Sequence, residues 1–329
     1  MPHPMYLPTA LSLLLGPAAL ATVTIQTVPI GSAGNTADST GYGAVNYHYA
    51  MSRLELTAGQ YTEFLNAVAA TDTYALYNTL MASNTAGCRI IRSGVSGAFT
   101  YSVAADYANR PVNYISWGDA ARFANWMHNG QPTGPQGLPT TEDGSYFLNG
   151  VADSSLSTVN RSTGASWVIP SEDEWYKAAY HFNNGATADY FLYATSSSTL
   201  PGKLLNDLLG NNANYGPNPA TPIDGGVYWT TLVGEFENSL SPYGTFDQSG
   251  NVSEWTESRG TGTQRVVRGG GWILNGASMS SANRSGIASG GSGQNYIGLR
   301  LGYIPSPSVA TALAMGLALP GRRRRAAGF

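Results

Sequence analysis

Residues 243–258 read YGTFDQSGNVSEWTES and, after a short Gly/Thr linker, residues 265–272 read RVVRGGGW. Between Tyr243 and Trp272 lie four Phe, Tyr or Trp rings, an Asn and a Glu three residues apart, and seven glycines. That mixture suits neither an ordinary helix nor an ordinary strand. Glycines let the backbone turn sharply or approach another segment closely, and large rings fill the space around it. Asp247 and Gly250 fit the first and fourth positions of a type I turn. Beyond the turn, Asn251 and Glu254 are expected to direct their oxygens toward one place. They serve there either as ligands to an ion or as the capping box of a short helix.

Working outward, three segments carry the same helix-start signal. Thr57 with Gln60, Ser116 with Asp119 and Ser171 with Glu174 each form a capping box. The spacing predicts helices over 57–69, from 116 to about 128, and from 171 onward. In the first, Tyr61, Phe64, Leu65 and Val68 share one face. Residues 22–30 (TVTIQTVPI) and 47–56 read as strands. Between these elements run Gly/Ser/Asn-rich loops, notably 31–43, 129–166 and 183–242, and no internal repeat is evident. Loops of such length usually have a function or an ordering ion. The pattern is that of one α+β domain.

Composition narrows the partners. Of 329 residues, 42% are hydrophobic, enough for a large core, and only 11% are Asp, Glu, Lys or Arg. Four of the 17 basic residues are Arg322 to Arg325; the rest of the chain sets 13 basic against 20 acidic residues, a balance of −7. Such a surface repels phosphate backbones, so nucleic acid is not an expected partner. Cys88, the only cysteine, leaves no intrachain disulfide framework and reads as a small, half-buried hydrophobe.

Five blocks, PVNYISWGDAARFANWM (111–127), IPSEDEWYKAAY (169–180), GNVSEW (250–255), RVVRGGGW (265–272) and IGLRLG (297–302), closely resemble the formylglycine-generating enzyme (sulfatase-modifying factor) domain family. The resemblance covers roughly residues 45–304 in the family's order. It implies a variant of the C-type lectin fold, with short twisted antiparallel sheets, few helices and long loops. Active members oxidise a sulfatase cysteine to formylglycine, using a cysteine pair after the RGGSW block to hold copper, a metal suited to thiolates. Here that stretch reads RGGGWILNGASMSSANRSG, with Ser280 and Ser281 near the thiol position. A hydroxyl does not replace thiolate for copper(I), so neither copper nor a catalytic residue is expected. A related branch uses histidine-bound iron, but His48, His128 and His181 are widely spread.

The resemblance also implies calcium, a cation that takes six to eight hard oxygens. Asn251, Val252 and Glu254 match one family site; Asn214, Tyr215, Asp224 and Gly226 match the other. Arg268 and Arg300 are expected to pair with an interior carboxylate, Glu55 or Glu174. Trp117, Trp175, Trp255 and Trp272 fall at family core positions. Trp167, Trp229 and the tyrosines between 180 and 243 fall in loops, where exposed rings would suit a sugar or peptide groove.

The ends read as addresses. Residues 1–21 form an apolar leader with a small-residue cleavage site, Ala19-Leu20-Ala21, before Thr22, which implies export. Residues 305–329 resemble the PEP-CTERM sorting signal removed by exosortase-type proteases. Ser306 stands where that signal has Glu, and the apolar run Val309 to Leu319 is about half the ~20 residues that span a bilayer. The expected protein is therefore an exported, secreted or surface-associated module spanning 22–304. Its expected partner is a peptide, a glycan or a matrix component; the alternative is a formylglycine-generating oxidoreductase.

Overall fold

All three capping boxes open helices. The computed structural model describes residues 22–151, 153–205, 207–216, 228–289 and 293–305; the leader, the sorting tail beyond Pro305, Asp224 and Gly226 lie outside the described residues. The chain begins with β1 (Thr27–Ile30), β2 (Tyr49–Ser52), α1 (Ala58–Val68), the single turn α2 (Leu80–Ser83), and the strands β3 (Ile90–Ser93) and β4 (Thr100–Val103). It continues through α3 (Trp117–His128), β5 (Trp167–Val168) and α4 (Glu172–Tyr180). After the long loop come β6 (Ser253–Arg259), β7 (Gln264–Arg268), β8 (Ser285–Ser289), β9 (Ile297–Gly298) and β10 (Gly302–Tyr303). In α1, α3 and α4 the Thr57, Ser116 and Ser171 side chains accept from the backbone N–H three residues on, and that residue's side chain returns the bond.

Among the described residues these strands form three sheets. One runs β1-β2-β10-β5, all antiparallel, and brings the last strand against the second. Another runs β8-β7-β6-β9, with β6 and β9 parallel; β3 and β4 pair alone. Both early strands are shorter than their sequence pattern. Residues 22–26 are held without strand pairing: the Gln131 side chain clasps Val23, accepting from its N–H at 2.8 Å and donating to its carbonyl at 2.8 Å. Past Ser52 the chain leaves the sheet so that Thr57 can cap α1.

The main core lies between α1, α3 and β6. Phe64 meets Phe123 edge-on at 5.2 Å and Trp126 at 5.2 Å. Trp117 and Trp255 exchange indole bonds across it: Trp117 Nε1 donates to the Thr256 carbonyl and Trp255 Nε1 to that of Ile115, both at 3.1 Å. Fully buried rings with satisfied N–H groups contribute a few kcal/mol each, so this pair fixes α3 on β6. Loop 129–166 covers that core. Arg122 on α3 pairs with buried Glu142 at 2.8 Å, and the Asn125 amide donates to the carbonyls of Thr141 and Tyr146. Trp167 is likewise half-buried in β5, against Tyr303 at 5.0 Å, rather than displayed on a loop.

Candidate functional site

The 243–272 stretch forms the molecule's polar interior. Gly250 has φ +92°, and a Cβ there would stand 2.4 Å from the Asn214 carbonyl oxygen, so only glycine passes. Asn251 follows at φ 55°, a region Asn tolerates. Its N–H donates to the Asn214 carbonyl at 2.8 Å and its own carbonyl accepts from Trp272 at 2.8 Å. Residues 253–259 are strand, so no helix follows and the capping-box alternative does not apply.

Every polar atom of the Asn251 side chain is engaged. Its Nδ2 donates to Glu55 Oε2 at 2.7 Å, and its Oδ1 accepts from Thr231 N at 3.0 Å and Asn214 Nδ2 at 3.3 Å. Val252 N donates to the other Glu55 oxygen at 3.1 Å. Glu254, fully buried, receives the Arg300 fork, Nε to Oε2 at 2.6 Å and Nη2 to Oε1 at 2.7 Å, with Trp175 Nε1 adding a third bond at 2.6 Å. Arg300 spends its remaining donors on the carbonyls of Phe246 and Ser52.

The expected arginine partners thus change. Arg300 pairs with Glu254, because β9 runs parallel to β6 with Gly298 beside Glu254 and Arg300 just beyond it. Arg268 pairs with Glu172 on α4, which also takes Arg284 at 3.0 Å. Glu174 takes Arg161 at 2.7 Å, and Glu55 takes the two neutral donors described above.

These contacts decide how the residues suit metals. A guanidinium lies where a cation bound to Glu254 would sit, and the Asn251 oxygens face N–H donors. The pair therefore does not fit calcium in this arrangement. Among the described residues no group of three or more His, Cys, Asp or Glu is arranged to hold a metal ion. Of the other expected ligands, Asn214 donates to the Trp229 carbonyl at 2.9 Å, and the Tyr215 hydroxyl donates to that of Pro201 at 2.7 Å.

Near the place where the resemblance puts a thiol, Ser281 is buried, its N–H bonded to the Leu192 carbonyl at 2.8 Å. Arg268 Nη1 donates to the carbonyls of Ser281 and Asn283 at 3.1 and 2.6 Å. Cys88 sits in the main core, its N–H on Asn113 Oδ1, and burial pushes its thiol up to about 11. Neither place offers copper a thiolate.

Two further acids complete this interior. Glu55, one of the two interior carboxylates expected, is 2% exposed, but it takes the neutral donors of Asn251 and Val252 rather than an arginine. Burial, followed by the charges of Asp247 and Glu254, raises its carboxyl well above the ordinary range. Asp247 accepts from Gly234 N at 2.6 Å, and burial pushes it up to about 6. The sequence marks Asp247 as a turn residue and Glu55 as an interior carboxylate, but not their partners: Glu55 meets Asn251 across 196 residues, a contact no local spacing reports.

Short antiparallel sheets, capped helices and this buried Asn/Glu/Arg interior define the formylglycine-generating-enzyme variant of the C-type lectin fold. The sequence matches the FGE-sulfatase family, the sulfatase-modifying factor enzyme 1-like domain, over residues 25–302, and the chain belongs to that family. It is similar to the solved structure of Treponema denticola variable protein 1, with 17% identity and TM-score 0.53, covering 87% of this chain and 98% of that one. It is similar also to CarF, with 19% identity and TM-score 0.52, covering 87% of this chain and 100% of that one. At such identities the likeness is one of fold alone. No curated protein matches the sequence.

Proposed function

We propose that this chain is an exported, ligand-binding member of its family that lacks the family's oxidase chemistry. One observation carries the reading: around Ser280 and Ser281 the chain offers hydroxyls, and Arg268 clasps the local carbonyls. Copper(I) needs thiolates, and the single thiol is locked in the core. What remains is a rigid scaffold with long, internally bonded loops, suited to binding a peptide, a glycan or a matrix component. Export rests on the leader before Thr22 and on the tail after Pro305. The test is direct. Purified protein is incubated with copper and a Cys-x-Pro-x-Arg peptide, and the aldehyde is sought by mass spectrometry. None is expected; copper-dependent aldehyde would restore the oxidase.

A further inference from the structure

A cavity of about 700 Å³ opens beside the N-terminus of α1, lined among others by Thr24, Leu54, Glu55, Glu63, Leu232 and Val233. It is separate from Ser280 and Ser281, which take no part in its walls. Among the described residues its lining contains two carboxylates and no Lys, Arg or His. A helix start could invite an anion, but these donors are spent. Ala58 N and Gly59 N bond the carbonyls of Arg110 and Ala108 at 2.9 Å, and Gln60 N bonds Thr57 Oγ1.

The floor is electrostatically incomplete. Glu55 is buried, and among the described residues its donors are neutral ones, Asn251 Nδ2 and Val252 N. The groups facing it are Asp247, Glu254 and Arg300, and the Arg300 fork is committed to Glu254. One guanidinium thus stands among three carboxylates. Burial holds the Glu55 carboxyl toward its protonated form, and a cation brought into the cavity would favour the ionised one. The apolar walls, Leu54, Leu232 and Val233 among them, suit a methylene stem, and Glu63 stands at the half-exposed rim.

We propose that this cavity binds the arginine or lysine side chain of an extended peptide, its charge answering Glu55 and Glu63. The proposal rests on the ligand-binding reading and gives it a ligand class. The full chain is titrated, by fluorescence anisotropy, with labelled tetra-arginine, tetra-lysine and tetra-glutamate peptides. The cationic peptides should bind and tetra-glutamate should not. Glu63→Gln and Leu232→Trp, both at positions with solvent access, should each weaken binding at least about fivefold while leaving the melting temperature unchanged. Equal binding of tetra-glutamate, no cationic binding at millimolar peptide, or indifference to both substitutions would overturn the proposal. Replacing Arg322 to Arg325 by Gln separates the sources. Tighter binding of added peptide would show this chain's own tail competing for the site, and unchanged binding would show that it does not; either result keeps the site. Glycan binding without cationic-peptide binding would sink the site and leave the ligand-binding reading standing.

Discussion

Glu254 and Arg300 form an ion pair with no solvent contact. Such pairs are costly to assemble and costlier to break, since removing one partner strands the other's charge in the interior. Glu254→Gln or Arg300→Met alone should lower unfolding free energy by about 3–5 kcal/mol in urea titrations, and the double variant should recover part of that loss. Asp247 gives the opposite expectation. Burial raises its carboxyl from 3.8 to about 6, so its stabilising contribution is complete below about 4 and lost as pH rises through about 6. Asp247→Asn keeps an acceptor for Gly234 N and suits φ 61°. It should match wild type near pH 4 and exceed it by about 3 kcal/mol at pH 7. Equal stability at both pH values would refute that assignment. The importance of Asn251, Glu254 and Arg300 was readable from the sequence, but their partners were not. Spacing identifies polar residues among rings, while pairing is set by a parallel register between strands that lie more than forty residues apart.

Among the elements, the helices were readable because their signals are local. A Thr or Ser and an acidic or amide residue three positions on satisfy each other's backbone donors wherever the rest of the chain goes. Ser171→Ala should therefore cost about 1 kcal/mol, measured by thermal or urea unfolding, with no change in the far-ultraviolet spectrum. The strands gave weaker signals. β5, β9 and β10 are two residues long and exist only because neighbours from distant sequence lie beside them. The entry to β6 depends on close backbone approach. With a Cβ at Gly250 placed 2.4 Å from a carbonyl oxygen and φ at +92°, Gly250→Ala should destabilise by about 2 kcal/mol or more. If Gly250→Ala unfolded at the same urea concentration as wild type, the tight crossing with Asn214 would be wrong.

Across the whole molecule, three segments far apart in sequence meet at one guanidinium: Ser52 and Glu55 from the first strands, Phe246 and Glu254 from the middle, Arg300 from the end. Relatives are expected to tie comparable loops with calcium; here the cation at Glu254 belongs to the chain itself. The two modes of closure differ in a measurable way. An ion bound at a hundred times its dissociation constant adds about 2.7 kcal/mol to stability, and removing it would lower the melting temperature of a domain this size by roughly 5–10 °C. A covalently attached guanidinium cannot be chelated. EDTA followed by excess calcium should therefore leave the melting temperature within about 1 °C of its starting value, while Arg300→Met lowers it sharply in either condition. A fall of several degrees in EDTA, reversed by calcium and absent in Glu254→Ala, would show that Arg300 shares the site with an ion. The arginine would then be its partner rather than its substitute.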